Sequence, residues 1–288
     1  MAQSLERLAR QEQTLDSIRG IVATMKALAA INLGPYERAV AGIEAYHRTI
    51  LQGFSAFAFR MRGEIQPERA PVQHRVIVAF GSDHGFCGNY NDLVARALQA
   101  QSHGKRRQRE RLLCVGARLQ RSLEESGLPV DQYLTPPASV EGIGRLASNI
   151  VTRIEGCAAG QSLTRLGVQL AHVRRDGHGG RVALVSTLLP LEPALLQAPS
   201  HWPSRALPDF SLPPDVLLSA LLRNHIFASV FRASAEAVLT ENAARLSLMH
   251  QAEQSVSDRL GKVRLELAGV RQDEITHELM DIVIGHMG

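Results

Sequence analysis

MHQAEQSVSDRLGKVRLELAGV, residues 249–270, is the stretch on which the fold turns. Its apolar positions Met249, Ala252, Val256, Leu260, Val263, Leu267 and Val270 follow one another at steps of three and four. Those steps average about 3.5 residues, the spacing that keeps one seam of a helix turned toward a partner helix. The stretch lies in a last quarter of the chain, Asp215 to Gly288, that contains no proline. With Pro213 and Pro214 marking its start, a helix over this whole span would be roughly 110 Å long, at about 1.5 Å of rise per residue. Such a rod cannot bury its seam in one compact core. It needs a second long helix, and the sequence offers one only at the other end of the chain.

Between Leu5 and Ala29 the apolar positions Leu5, Leu8, Leu15, Ile18, Val22, Met25 and Ala29 keep the same spacing, apart from one slot near Glu12. Arg7, Arg10, Glu12, Asp16 and Arg19 fall between them, as solvated or partner-facing charges do. The two ends are therefore expected to form one coiled coil. Gly34-Pro35 interrupts the N-terminal pattern, and a proline inside a helix costs about 3 kcal/mol. A kink or break is expected there, with helix resuming from Tyr36 to about Arg62 and ending at Gly63 and the prolines Pro67 and Pro71.

The middle of the chain has another rhythm. Arg75 to Phe80, Leu112 to Val115, Val130 to Leu134, Leu166 to Val173 and Val182 to Leu189 are short apolar or alternating runs rich in branched residues, and read as strands. Helical patterns at Asp92 to Gln101, Ala117 to Ser126 and Val140 to Cys157 fall between them. Strands alternating with helices imply parallel pairing, because parallel neighbours need a crossover. The glycine-rich RRDGHGGR, residues 174–181, suits a hairpin between the last two strands. The expected fold is thus a long coiled coil of the terminal helices, 1–62 and 215–288. A Rossmann-like α/β domain, 72–192, is inserted between them, with a proline-rich connection, 193–214.

Composition narrows the function classes. Lysine and arginine total 32 against 28 acids, a net charge of +4, and only Lys26, Lys105 and Lys262 are lysines. So mild an excess implies acidic partner surfaces at most. Aromatic residues are 5% of the chain and do not interleave with the basic ones, which argues against a nucleic-acid platform. Cys87, Cys114 and Cys157 are odd in number and widely spaced, unlike a zinc site or a secreted disulfide framework. A reducing compartment is the simpler expectation. The N-terminus lacks a signal-peptide pattern and no eighteen apolar residues run together, so neither export nor membrane insertion is expected.

Ser82-Asp83-His84-Gly85-Phe86-Cys87-Gly88 follows a strand and precedes a helix, where α/β folds place their sites. Cys87 near a helix N-terminus, with His84 three residues away, has the residue types of an activated thiol. The simpler reading is a tight turn permitted by Gly85 and Gly88, with Cys87 packing as a small hydrophobe. No phosphate-cradling loop of the G-x-x-x-x-G-K-[ST] or G-x-G-x-x-G kind occurs, so no nucleotide cofactor is expected. The basic run Lys105 to Arg111 reads as a solvated loop, and His277 and His286 lack the spacing of a metal pair. The polar run Arg271-Gln272-Asp273-Glu274-Ile275-Thr276-His277-Glu278 stands apart. It interrupts the apolar seam near the end of the rod, and Leu279, Ile282, Val283 and Ile284 then form an apolar tip. Arg271, Ile275 and Glu278 share one helical stripe, with Gln272 and Thr276 on the next. A rod end of this kind is expected to enter a surrounding sleeve.

At these residues the chain resembles the gamma subunits of F-type ATP synthases, the central stalk of a rotary machine. Three blocks carry the resemblance, in order: Met25-Lys26 within IVATMKALAA, SDHGFCGNYN at 82–91, and ENAARLSLM followed by RQDEITHELMDIVIG at 271–285. The last block fits the family's R-Q-x-x-I-T-x-E-L pattern at Arg271, Gln272, Ile275, Thr276, Glu278 and Leu279. The resemblance implies that the N- and C-terminal helices form a long antiparallel coiled coil, a non-catalytic shaft inside an alpha/beta hexamer, with the α/β domain seated on a membrane c-ring beside an epsilon-type subunit, peripheral to the cytoplasmic face of the inner (plasma) membrane. It further implies that Arg271, Gln272, Thr276 and Glu278 contact the hexamer, with Met25 and Lys26 close by on the neighbouring helix. Catalytic, cofactor and metal residues are not expected on this chain.

The chain departs from the family where Ile31-Asn32-Leu33-Gly34-Pro35 replaces a basic, alanine-rich segment. His84 and Asn89 stand where arginine and glycine are common, and Gly269 where asparagine is frequent. These mark a divergent branch. Two other classes fit parts of the sequence: a coiled-coil scaffold without rotary function, and a Cys87-dependent α/β enzyme with helical arms. Neither accounts for the three ordered blocks.

Overall fold

The computed structural model describes residues 2–62, 72–101, 110–157, 166–176 and 180–287. Two helices dominate it, α1 (Ala2–Arg60) and α5 (Pro214–Met287). Between them run β1 (His74–Phe80), α2 (Tyr90–Gln101), β2 (Glu110–Val115), α3 (Ala117–Glu125), β3 (Gln132–Leu134), α4 (Val140–Cys157), β4 (Leu166–Arg175) and β5 (Arg181–Leu189). The basic run Lys105 to Arg109, residues 177–179 of the glycine-rich turn, and Gly63 to Pro71 lie outside the described residues. The chain divides into two compact units, Met1–Ile31 with Ala243–Gly288, and Asn32–Asn242.

The first unit is a helix pair. Leu8, Val263 and Leu267 are buried together, with Leu5, Ala9, Leu15 and Val270 packed around them. Direction follows from the polar contacts: Arg264 Nε donates to Glu12 Oε1 at 2.8 Å, while Lys26 pairs with Glu253. Positions rising along α1 meet positions falling along α5, so the pair is antiparallel. The polar slot at Glu12 is therefore an interhelical ion pair and not a gap in the seam. Met249 and Leu260 are buried as their spacing requires, and so are Val22 and Ala29 on α1. Ile18, expected in the seam, is 39% exposed and sits at its edge.

The second unit is built on a five-stranded sheet of order β3-β2-β1-β4-β5. β1 pairs in parallel with β2 and β4, β2 in parallel with β3, and β5 closes the edge antiparallel to β4. The near-continuous apolar sequence of β1 reflects its central place: Val76, Val78, Ala79 and Phe80 have at most 1% of their surface exposed. Ile150 and Ile154 of α4, Phe54 of α1 and Ile226 and Val230 of α5 complete one core with the sheet. α5 has a window long and apolar enough to cross a membrane by length and composition alone. In this fold its Leu222, Ile226, Ala228 and Val230 are core residues. The proline-rich connection is pinned to the end of α1 by aromatic contacts, Phe57 with Phe210 at 5.7 Å and Phe59 with Trp202 at 5.5 Å between ring centroids.

Of the kink or break expected at Gly34-Pro35, the break does not occur. α1 runs as one helix through Pro35. The proline leaves the Ile31 carbonyl without its usual amide donor, but Tyr36, 3% exposed, is locked against Ile143 and Ala235 directly after it. Burial of that ring offsets the local cost that the sequence alone exposes. The division between the two units nonetheless falls three residues before Gly34, between Ile31 and Asn32.

Candidate functional site

Past Val270, most of the described side chains of α5 are exposed. Arg271, Gln272, Thr276 and Glu278 are all exposed, and Glu274 is half-buried. At least half of each of Ile275, Leu279, Met280, Ile282, Val283 and Ile284 is open to solvent. The Thr276 hydroxyl donates to the Gln272 carbonyl at 2.8 Å, and His277 Nδ1 lies 3.0 Å from the Asp273 carbonyl, contacts inside the helix itself. This segment is thus a single helix with a polar collar followed by a tip that is apolar apart from Asp281. Large apolar side chains left in water at this density mark a surface that another protein covers.

Met25 and Lys26 lie elsewhere. Met25 is half-buried, and the Lys26 ammonium pairs with the Glu253 carboxylate. That hydrogen bond holds the Glu253 carboxyl below its usual range despite some opposing desolvation. Glu253 and Gln272 are separated by nineteen positions of continuous helix, about 28 Å at about 1.5 Å per residue. The expectation that Met25 and Lys26 stand close to Arg271, Gln272, Thr276 and Glu278 is therefore corrected: antiparallel pairing sets Lys26 opposite residue 253. The sequence reading also missed a second stripe on α1. Ile21, Leu28 and Ile31 are 60%, 58% and 69% exposed, on the side away from the seam. Their spacing of seven and three is visible in the sequence but lies outside the positions that define the seam.

The loop at 82–91 is a scaffolded turn. Asp83 Oδ1 accepts the Ala117 amide at 2.8 Å and the Tyr133 hydroxyl at 3.0 Å, tying the ends of β1 and β3 to the start of α3. Ser82 Oγ donates to the His84 carbonyl at 2.9 Å, and Asn91 Nδ2 donates to Ser82 Oγ at 2.9 Å. Cys87, 2% exposed, has Ser82 Oγ, the His84 carbonyl and Asn91 Nδ2 around its sulfur, none of them a general base. The packing role read from the sequence is the one the geometry supports. Gly88 has φ 67°, as a turn glycine should, but Gly85 is not in the left-handed region and Phe86, φ 62° and 64% exposed, takes that conformation beside it.

One pair of histidines and one histidine–carboxylate pair that the sequence left scattered are brought together in the second unit. His47 Nε2 and His225 Nδ1 are 3.0 Å apart, one nitrogen donating to the other, with Phe54 edge-on to His225. Burial, then His47 and Arg232, push the His225 imidazole down to about 4. His172 Nε2 lies 2.8 Å from Glu236 Oε2, and Arg232 Nε is 3.8 Å from the other carboxylate oxygen. Burial opposes ionisation of Glu236, but His172, Arg232 and Arg174 outweigh it and hold the carboxyl below its usual range. No cluster of three or more metal-ligating side chains occurs among the described residues.

A helix pair whose far tip carries exposed large apolar side chains defines, on this chain, a mechanical or docking class of protein. Comparison with known proteins gives the class its family. The family model described as ATP synthase matches residues 4–287, and the chain belongs to that family. Its relatives carry the name ATP synthase gamma chain. The protein from Bdellovibrio bacteriovorus is 23% identical over 290 residues, covering 98% of this chain and 97% of the relative. That from Anaeromyxobacter dehalogenans is 26% identical, with 98% of each covered. Among solved structures, a rotor chain of the Euglena gracilis mitochondrial ATP synthase shares the fold with a TM-score of 0.63 at 14% identity, over 96% of this chain and 100% of that one. The central stalk of the Tetrahymena thermophila enzyme gives 0.54 at 18% identity, over 81% and 99%. The chain is of the gamma type, the central rotor shaft of an ATP synthase.

Proposed function

We propose that this chain carries no catalytic site of its own and turns inside a hexamer of alpha and beta subunits, with its α/β unit seated on a membrane c-ring beside an epsilon-type subunit. Its place is peripheral, on the cytoplasmic face of the plasma membrane. The observation that carries the reading is the end of α5: a polar collar at Arg271, Gln272, Thr276 and Glu278, then an apolar tip with at least half of each large side chain uncovered. Apolar residues there suit a close, low-friction sleeve, while the collar supplies directional bonds to particular subunits. Ile21, Leu28 and Ile31 extend the contact surface along α1. Met25 and Lys26 contribute at a different level of the shaft, with the Lys26 charge already answered by Glu253.

Coupling then follows from asymmetry. A helix pair has no threefold symmetry, so each angular position gives the three catalytic subunits different contacts. A ligand or partner shifts an equilibrium only through such a difference in free energy between states. Rotation driven by ion flow through the ring thereby changes nucleotide affinities at sites on other chains.

The test is Gln272→Ala combined with Thr276→Ala in the assembled complex. The Thr276 hydroxyl bonds only within its own helix among the described residues, and alanine is the better helix former, so the shaft itself is preserved. Coupled ATP synthesis is expected to fall while the complex still assembles. Unchanged synthesis by a fully assembled double variant contradicts the contact assignment.

A further inference from the structure

A rotor shaft must not slip against the domain that drives it. The part of α5 buried in the α/β unit sets Leu222, Ile226 and Val230 in the core, but much of the buried face among and beyond them is small and poorly shaped to resist slipping. Ala228, Ser229, Ala233, Ser234, Ala235 and Ala237 are all buried there. Small side chains let a helix lie close to its support, but they raise only shallow ridges, and interlocked ridges are what fix the angle and register of one packed element on another. Dispersion and hydrophobic burial hold such a surface in place without strongly opposing sliding or rotation along it.

Directional contacts converge on this smooth stretch. The Tyr90 side chain, fully buried at the start of α2, donates its hydroxyl to the Ala237 carbonyl at 2.9 Å. That carbonyl is in mid-helix, where the amide four residues on is its regular partner, so the tyrosine adds a bond that helix formation does not require. One residue away, Glu236 meets His172 of β4 at 2.8 Å and is flanked by Arg232. His172 is 3% exposed and its Nδ1 has no hydrogen-bond partner among the described residues. A buried polar side chain satisfied at one end only is a cost to folding, and an apolar residue would fill the space without it. Both contacts reach α5 within a single turn, from two different elements of the α/β unit.

We infer that Tyr90 and His172, acting on Ala237 and Glu236, are positioning residues that clamp α5 to the α/β unit and carry torque between them. The inference rests on the rotor reading. Each bond resists a change of register because a slipped helix offers neither the Glu236 carboxylate to His172 nor the Ala237 carbonyl to Tyr90. Removing a neutral hydrogen bond makes slipped registers about fivefold more populated, and removing a charge-assisted one more than about tenfold.

The experiment uses the assembled complex in closed vesicles, comparing wild type, Tyr90→Phe, His172→Leu with Glu236→Leu, all three changes together, and His172→Gln. The readouts are ions pumped per ATP hydrolysed and the stall torque of single complexes. The clamp predicts that both fall stepwise in the first three variants and that His172→Gln, which can still donate to Glu236, stays near wild type. Wild-type ratios and stall torque in assembled Tyr90→Phe and leucine variants overturn it. Should the leucine variants fail to assemble, Tyr90→Phe, which keeps the ring, decides alone. A separate readout needs no partner: amide exchange across residues 236–242 of the isolated chain is faster in Tyr90→Phe if the bond holds the helix, and unchanged rates overturn the clamp. Failure of the wild-type chain to join alpha, beta and ring subunits would instead reject the rotor reading.

Discussion

Acidification should loosen the second unit through His225, by an amount that can be worked out. Its ring is 7% exposed, faces His47 and Phe54, and lies within the field of Arg232. Burial first, and the neighbouring positive groups second, lower it from about 6.5 to about 4. An unfolded chain therefore binds this proton before the folded one does. The contribution is complete above about pH 6.5 and drains away as the pH falls toward about 4. A shift of that size corresponds to about 3 kcal/mol in all, with about 2 kcal/mol already lost at pH 5. His47, lowered chiefly by burial, adds in the same direction. Glu236 also weakens the fold in acid, so the measurement is a difference. Denaturant unfolding of wild type and His225→Leu, followed between pH 7.5 and 5 by a probe in the α/β unit, isolates the term. Wild type should lose about 2 kcal/mol more than the variant over that range. Parallel losses in the two proteins would refute the reasoning.

Gly116 has φ 109°, and a Cβ there would lie 2.8 Å from the backbone of Gly81 and Ser82. Gly116→Ala should cost more than about 3 kcal/mol and prevent stable folding of the α/β unit, checked by expression yield and thermal melting. The thiol of Cys114 is fully buried and pushed up to about 12, by burial and then by Glu124 and Asp83, whereas Cys157 is half-buried. Alkylation of the native protein at neutral pH should mark Cys157 first and leave Cys114 unmodified until unfolding, as peptide mass mapping would show. Early labelling of Cys114 would contradict the packing around it.

Much of the architecture was legible because its signals are periodic and local. The seam from Met249 to Val270 and the run Arg75 to Phe80 each commit to a structure within one window of sequence, and both appear as read. Pro35 suggested a break, which does not occur, for the same reason: its cost is local, while the burial of Tyr36 against Ile143 and Ala235 that offsets it is not. The order of the strands, with β1 at the centre, and the edge placement of Ile18 likewise depend on contacts distant in sequence. The candidate site was half legible. The collar and tip announced themselves as a polar interruption in an apolar seam, but pairing register, which separates Lys26 from Gln272, is a property of two helices together. Tyr90, His172 and Glu236 gave no signal, since nothing in their spacing joins a strand, a helix start and a position 64 residues beyond His172.

The measurement that bears most directly on the whole account is recovery of this chain, tagged, from gently solubilised native membranes, with its companions identified by mass spectrometry. A rotor shaft brings alpha, beta and ring subunits with it. Recovery of the chain alone, under conditions that keep a known ATP synthase intact, would contradict the assignment.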